Sequence, residues 1–342
     1  MKVKRDDFLQ ALEAVSPGLA DKGGGIEQAD SFVFMDGEVL TFNDECCVRC
    51  PSKLGKDFRA VVPAKALTEQ LRKWKEEEID AEPTDAGLVV RGKGSRKATF
   101  LAEKEITLPV EHVELPKKWK PLSADFGEGI RIVSECAKDR SENLAEMSVS
   151  IHPTFVEACD NLQLCRYAVE TGIKAFCLVR KEAVKHLPPL DMTEVAETEN
   201  WLHWRNPAGV IFSVRKTYPP EEYSADYWDA FLKKTGSPVT LPKTLAEEAE
   251  RAAVFANESG DSPSIKLTLN GDGRMKVEGE GASGRYSVRP KVSYKGPVMS
   301  FLVAPKLLME MVKRHHEALV SEGKLLVDSG KFISALCLEK VQ

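Results

Sequence analysis

The feature of this chain that most restricts its fold is an internal repetition. Three segments share one grammar: Val61-Val62-Pro63-Ala64-Lys65-Ala66-Leu67, Leu178-Val179-Arg180-Lys181-Glu182-Ala183-Val184 and Leu302-Val303-Ala304-Pro305-Lys306-Leu307-Leu308. Each is a short apolar run ending in Val, followed within a residue or two by a helix that carries Lys. The first and third place Pro at the helix entrance, where its missing N–H forfeits no hydrogen bond. Lys65, Lys181 and Lys306 lie 116 and 125 residues apart. A period of that length is the size of a small domain.

Upstream of each segment a second helical spacing recurs. It is carried by Phe8, Leu9, Leu12 and Val15, then by Ile132, Val133 and Cys136, then by Leu245, Ala249, Ala252, Ala253 and Ala256. Alternating runs bounded by turn residues fill the space between the two helices of a unit. In the first unit they are Ser31–Met35, Val39–Phe42, Cys46–Cys50 and Arg59–Val62, with Asp36-Gly37 as a hairpin signal. Further strands follow the second helix, at Leu88–Arg91 and Ala98–Leu101. The third unit repeats the order with Ile265–Leu269, Met275–Glu278 and Arg285–Val292, then Leu325–Val327 and Phe332–Leu338. The spacing predicts an α+β fold of three tandem domains, each two helices packed on antiparallel sheets. Their expected bounds are 1–117, 118–237 and 238–342, with breaks near Leu115-Pro116-Lys117-Lys118 and Thr235-Gly236-Ser237-Pro238.

Composition excludes several classes. A hydrophobic fraction of 42% with 30% charged residues is that of a folded globular chain. No apolar run approaches the roughly 18 residues of a bilayer span, and no signal-type segment follows Met1, so a cytoplasmic protein without a membrane partner is expected. Eight cysteines in 342 residues then read as reduced thiols rather than a disulfide framework.

Three tempting motifs have plainer explanations. Gly279-Glu280-Gly281-Ala282-Ser283-Gly284 matches a dinucleotide fingerprint, but Arg285-Tyr286-Ser287-Val288 follows it with strand alternation instead of a helix, which predicts a hairpin turn. Gly92-Lys93-Gly94 also lies between strands. Cys46, Cys47 and Cys50 lack a fourth ligand, and neighbouring strand residues point to opposite faces, so they read as small apolar residues and no metal or other cofactor is expected. His315-His316 follows a basic helix end without a Ser, Cys or carboxylate partner. No catalytic residues are assigned and no enzyme is expected; a multi-domain scaffold, one associated with repair among them, and a small-ligand-binding protein are the competing classes.

Charge distribution is more informative than its total of −5. The three second helices, over Ala64–Lys75, Arg180–Leu187 and Ala304–His316, hold ten basic residues against three acidic ones. Lys65 and Arg72 are seven apart, as are Lys306 and Lys313, so each pair shares a helix face. A solvated face explains one such helix. Its recurrence at three equivalent places points to a shared anionic ligand, and duplex nucleic acid fits. The first helices add Lys22 just beyond the first, Lys138 and Arg140 in the second, and Lys243 and Arg251 in the third.

Met1-Lys2-Val3, Phe8-Leu9-Gln10-Ala11-Leu12-Glu13-Ala14-Val15, Val61–Leu67, Ala98-Thr99-Phe100-Leu101 and Ala249–Glu258 together resemble, in order and spacing, the bacterial-type sliding clamp, the β subunit of a replicative DNA polymerase. The resemblance spans nearly the whole chain and has no single diagnostic motif. It implies a head-to-tail homodimer, six domains in a ring, with helices lining a hole that encircles duplex DNA. Arg72, Lys73, Lys181, Lys185, Lys313 and Arg314, with Lys22, Lys138, Arg140, Lys243 and Arg251, would then touch phosphates without reading sequence.

The resemblance also implies a pocket between the second and third domains that takes short apolar peptides from a polymerase, a clamp loader and repair proteins. Matched by order, it would use Asn161, Leu162, Gln163, Leu164, Tyr218, Pro219, Leu307, Leu336, Cys337 and Leu338. The alternative for several of these leucines is the third domain's core. Two stretches depart from the family: Asp160-Asn161-Leu162-Gln163-Leu164 replaces its usual Asp-Gly-His-Arg-Leu, and Leu336-Cys337-Leu338-Glu339-Lys340 replaces Met-Pro-Met-Arg-Leu. Such departures suit a divergent clamp encoded by a phage or mobile element.

Overall fold

Helices form where apolar residues recur every three or four positions. In the computed structural model, which describes residues 1–20, 25–84, 87–218, 225–259 and 263–341, there are seven α-helices: α1 (Arg5–Val15), α2 (Ala64–Lys73), α3 (Phe126–Ser134), α4 (Lys181–Val184), α5 (Ala225–Phe231), α6 (Leu245–Ala256) and α7 (Pro305–Arg314). Phe8, Ala11, Leu12 and Val15 make the buried stripe of α1, and Ala64, Leu67 and Leu71 that of α2. No helix among the described residues is long and apolar enough to cross a membrane.

The element order recurs three times along the chain. In the first two copies a short strand and a helix precede four strands, and a second helix and three strands close the set; the third copy adds the short strands Ser293–Tyr294 before its second helix and Glu339–Lys340 at its end. The strand-to-helix junctions repeat in backbone detail as well. Pro63, Arg180 and Ala304 precede α2, α4 and α7 with φ/ψ of −54/118, −62/131 and −63/118. Helices α2 and α7 are both ten residues long. Each carries Lys at its second position, Glu at its sixth and two basic residues at its end.

The middle copy departs from expectation. The helix predicted over Arg180–Leu187 is the single turn α4, because Pro188 and Pro189 have no amide hydrogen with which to extend it. Lys181 therefore opens its helix, where Lys65 and Lys306 stand second. Lys185 is a cap residue. Helix α3 stops at Ser134, so Lys138 and Arg140 lie outside it; the Lys138 amide instead donates to the Glu146 carbonyl at 2.7 Å. Lys243 precedes α6, and Cys136 follows α3 as a buried loop residue.

The chain forms two compact units. The first holds Met1–Ser134, Ser148–Thr154 and Val169–Tyr218; the second holds Glu135–Met147, Phe155–Ala168 and Pro219–Gln342. In the first unit, Lys2–Lys4, Glu78–Thr84, Gly87–Arg91 and Lys97–Leu101 form one antiparallel sheet in that order. An eight-stranded sheet runs Ala60–Pro63, Ser31–Met35, Glu38–Phe42, Cys46–Pro51, Ile211–Arg215, Trp201–Arg205, Glu194–Glu197 and Lys120–Pro121. The Asp36-Gly37 turn has φ of 54° and 84°, the left-handed pair that matches hairpin twist.

The second unit has a five-stranded sheet in the order Gly284–Val288, Met275–Gly281, Ile265–Leu269, Met299–Val303 and Glu339–Lys340. Seven further strands run Phe155–Cys159, Gln163–Ala168, Phe332–Cys337, Lys324–Asp328, Glu317–Ser321, Ser237–Thr240 and Ser293–Tyr294.

One joining rule operates in both units. The third strand of a four-strand set pairs with the third strand after the second helix of the following repeat: Cys46↔Val214 in the first unit and Gln163↔Leu336 in the second. The glycines that imitate a dinucleotide loop serve packing. A Cβ on Gly279 would stand 2.0 Å from the Ala252 carbonyl oxygen, and one on Gly281 2.1 Å from that of Phe255. Alanines on α6 and glycines on the strand let helix and sheet approach that closely.

Burial settles the remaining motifs too. Cys46, Cys47 and Cys50 are buried strand residues, and burial raises all three thiol pKa values. His315 packs against the Phe332 ring at 4.8 Å between centroids.

His203 is fully buried between strands. Its Nδ1 lies 2.8 Å from Ser213 Oγ and its Nε2 3.0 Å from Thr198 Oγ1. Burial, with Arg49 and Lys216 nearby, pushes its pKa down to about 4. In the unfolded chain the ring titrates near 6.5, so the unfolded state takes up the proton first as pH falls. Stability is expected to hold above about pH 6.5 and to fall by up to about 3 kcal/mol as pH drops toward about 4. Denaturation at a series of pH values across that window checks this, and His203→Gln should lose that part of the pH dependence.

Candidate functional site

An apolar groove of about 510 Å³ opens in the second unit. The Asp160 carboxylate shapes one wall. Its Oδ1 accepts the amides of Leu162 (2.7 Å) and Gln163 (2.8 Å), which folds the hairpin turn so that Leu162 projects, 40% exposed. The Cys337 amide donates to the Leu162 carbonyl at 2.8 Å and ties that turn to the final strand. The opposite wall is the strand-to-helix junction from Leu302 to Leu307, with Ala253 and Asn257 of α6 and its end behind it. Lys306, Asp160 and Glu339 are its charged lining residues.

Of the residues predicted for a peptide pocket, Leu162, Leu307, Leu336 and Cys337 line this groove. Asn161 is exposed on the turn, and Gln163 is buried in the strand ladder. Leu164 belongs instead to a core cluster with Leu232, Leu326 and Ala335, since it is the strand residue that faces inward. Leu338 is also buried, its amide bonded to the Gly323 carbonyl at 2.9 Å. Tyr218 is 62% exposed in the first unit, and Pro219 lies outside the described residues. The contributions of Ala253, Asn257 and Met309 escaped sequence reading, because only the packing of α6 against α7 brings them to the groove.

The basic residues are exposed for the most part, and many are ion-paired. Arg72 and Lys73 end α2, and Lys313 and Arg314 end α7. Arg72 Nη2 lies 2.8 Å from Glu13 Oε1 of α1, and Arg314 pairs with Glu135. Lys185 pairs with Glu182, while Lys138 Nζ reaches Glu146 at 2.7 Å. Lys181 is half-buried; Arg140 and Lys243 are exposed. Lys22 lies outside the described residues.

Arg251 donates to Glu248 at 2.9 Å, and the Tyr286 hydroxyl donates to the same carboxylate. Those two bonds, Tyr286 foremost, hold the Glu248 pKa below its ordinary value, and the Tyr286 bond fastens α6 to the sheet. Exposed ion pairs are worth only about 0.2–1 kcal/mol. Arg72 and Arg314 can therefore exchange a carboxylate for a phosphate oxygen at little cost.

No family model matches the sequence, and no curated protein does. Solved structures do match. A DNA polymerase sliding clamp from Pseudomonas aeruginosa has a TM-score of 0.83 at 13% identity, covering 100% of this chain and 99% of its own. The chain has the sliding-clamp fold. The DNA polymerase III β subunit of Thermotoga maritima gives 0.81 at 16% identity, covering 100% and 99%. A putative β subunit from Eubacterium rectale gives 0.81 at 15%, covering 99% of both chains. The expected α+β clamp fold with antiparallel sheets is thus present, at 13% to 16% identity to these structures.

Within this clamp fold the leucines divide by burial. Leu338→Ala should destabilise by about 2–5 kcal/mol through the buried methyl groups it removes and the cavity left behind. Leu162→Ala should cost under about 1 kcal/mol, since that side chain is already partly in water. Urea denaturation of the two variants checks the division.

Proposed function

We propose that the protein is a DNA sliding clamp, a homodimeric ring that encircles duplex DNA and tethers a replicative polymerase in the cytoplasm. The observation that carries this reading is the end-to-end correspondence with sliding clamps, 100% of this chain on 99% of the Pseudomonas protein. In this reading the chain divides into three domains, 1–117, 118–237 and 238–342, and two copies supply six.

The joining rule of the sheets supports the dimer. Two joints are internal, and one strand of each kind is left over. Among the described residues Lys97–Leu101 pairs only with Gly87–Arg91, and Gly284–Val288 only with Met275–Gly281. Each is an edge whose counterparts elsewhere are paired. Leu101 on the first edge is 76% exposed, unusual for an uncovered edge strand. Pairing the first edge of one copy with the second edge of another, twice, closes a ring.

DNA contacts in such a ring come from the helix ends, with Arg72, Lys73, Lys313 and Arg314 foremost and Lys181 and Lys185 of the middle copy beside them. Weak, exchangeable contacts suit sliding, because enclosure rather than affinity retains the DNA. The groove lined by Leu162, Leu307 and Leu336 would take apolar peptides of the polymerase and the clamp loader. Each leucine or phenylalanine side chain buried there contributes roughly 1.5–3 kcal/mol.

Light scattering should give a mass of twice 37.9 kDa, and Leu101→Asp should give the single-chain mass. A single-chain mass for the parent at micromolar concentration, with no assembly on DNA, overturns the ring. Alanine at Arg72, Lys73, Lys181, Lys185, Lys313 and Arg314 together should weaken binding to every duplex sequence alike. The slope of log K against log salt should become shallower by up to about 0.9 for each phosphate no longer neutralised.

A further inference from the structure

The two internal strand joints share a set of backbone hydrogen bonds, although the helix beside the first is the single turn α4 and that beside the second the ten-residue α7. In the second unit Asp160 Oδ1 accepts the amides of Leu162 and Gln163; in the first, Asn43 Oδ1 accepts those of Glu45 (3.2 Å) and Cys46 (2.9 Å). The Cys337 amide donates to the Leu162 carbonyl at 2.8 Å, as the Arg215 amide donates to the Glu45 carbonyl at 2.9 Å. Leu302 pairs with Glu339 as Leu178 bridges Thr217. Ala304 and Arg180 are the matching cap residues of α7 and α4. Position by position, Glu45 therefore stands where Leu162 stands, Arg180 where Ala304 stands, and Arg215 where Cys337 stands.

The side chains at those positions differ in kind. At the second joint they are Leu, Ala and Cys, and the groove opens among them. At the first they are charged and engaged with one another. Arg180 Nε lies 3.2 Å from Glu45 Oε1. Arg215 Nε donates to the Asp44 carbonyl at 2.8 Å, its guanidinium pairs with the Asp44 carboxylate, and it stacks 4.9 Å from the Trp201 ring centroid.

We infer that the Arg180–Glu45 and Arg215–Asp44 pairs exclude apolar peptides from the first joint, so that each chain offers one docking groove where its repeated backbone provides two. This rests on the peptide-docking reading of the second joint. A leucine side chain entering the first joint would strip water from paired charges and return no hydrogen bonds to them. Selectivity between two like sites then comes from a penalty built into the wrong one. A repeat protein whose function needs one partner per chain has a reason to keep that penalty.

The test grafts the residues of the second joint onto the first, as Glu45→Leu, Arg180→Ala and Arg215→Cys. Calorimetric titration of the full chain uses the peptide acetyl-Ala-Leu-Ser-Leu-Phe-amide as probe. The parent should bind one peptide per chain and the triple variant two, and adding Leu162→Glu should remove one from each. The double variant E45L/R180A, which keeps Arg215 on Trp201, gives the same reading if the triple variant does not fold. A variant that melts like the parent and still binds one peptide overturns the inference. A parent that binds none overturns the docking reading beneath it.

Discussion

Pairing between the third strand of one set and the third strand after the second helix of the next repeat is the constraint on which the rest depends. It makes sheets continuous across repeats, as Cys46–Pro51 with Ile211–Arg215 and Gln163–Ala168 with Phe332–Cys337. Backbone hydrogen bonds of a ladder are indifferent to side-chain identity. A fold held by them tolerates wide divergence, provided each strand keeps one inward face apolar. That accounts for a TM-score of 0.83 at 13% identity.

The same indifference lets one backbone serve different ends at its two internal joints. At one, charged side chains satisfy each other and fill the space. At the other, an aspartate turn lifts Leu162 out of the sheet beside Leu307 and Leu336. The strand pairing is common to both joints; the side chains at matching positions differ, and α7 runs ten residues where α4 is a single turn. Helix ends behave alike. Arg72–Lys73 and Lys313–Arg314 occupy the last turns of two ten-residue helices, where positive charge favours the helix dipole whatever else it meets.

The repeat, the strand positions and the hairpin at Asp36-Gly37 were legible in the chain because each is a local property. Apolar spacing, Pro at a helix entrance and paired left-handed residues act within a few positions. Ser31–Met35 and Ile265–Leu269 fall where alternation places them. The middle repeat misled for an equally local reason: lysine was a better marker of similarity than of helix phase, and Pro188 truncated the helix that Lys181 opens.

The sequence by itself determined the order of elements, their antiparallel character and the clustering of basic residues at helix ends. Only the tertiary structure decided which leucines are core and which are groove. Leu162, Leu164, Leu336 and Leu338 look equivalent in the chain. Their roles diverge because the Asp160 turn exposes Leu162, whereas Leu164 meets Leu232 and Leu326, which lie far along the chain from it. The meaning of Glu45, Arg180 and Arg215 was likewise hidden, since the pairing of Arg180 with Glu45 and of Arg215 with Asp44 depends on distances that the fold alone sets.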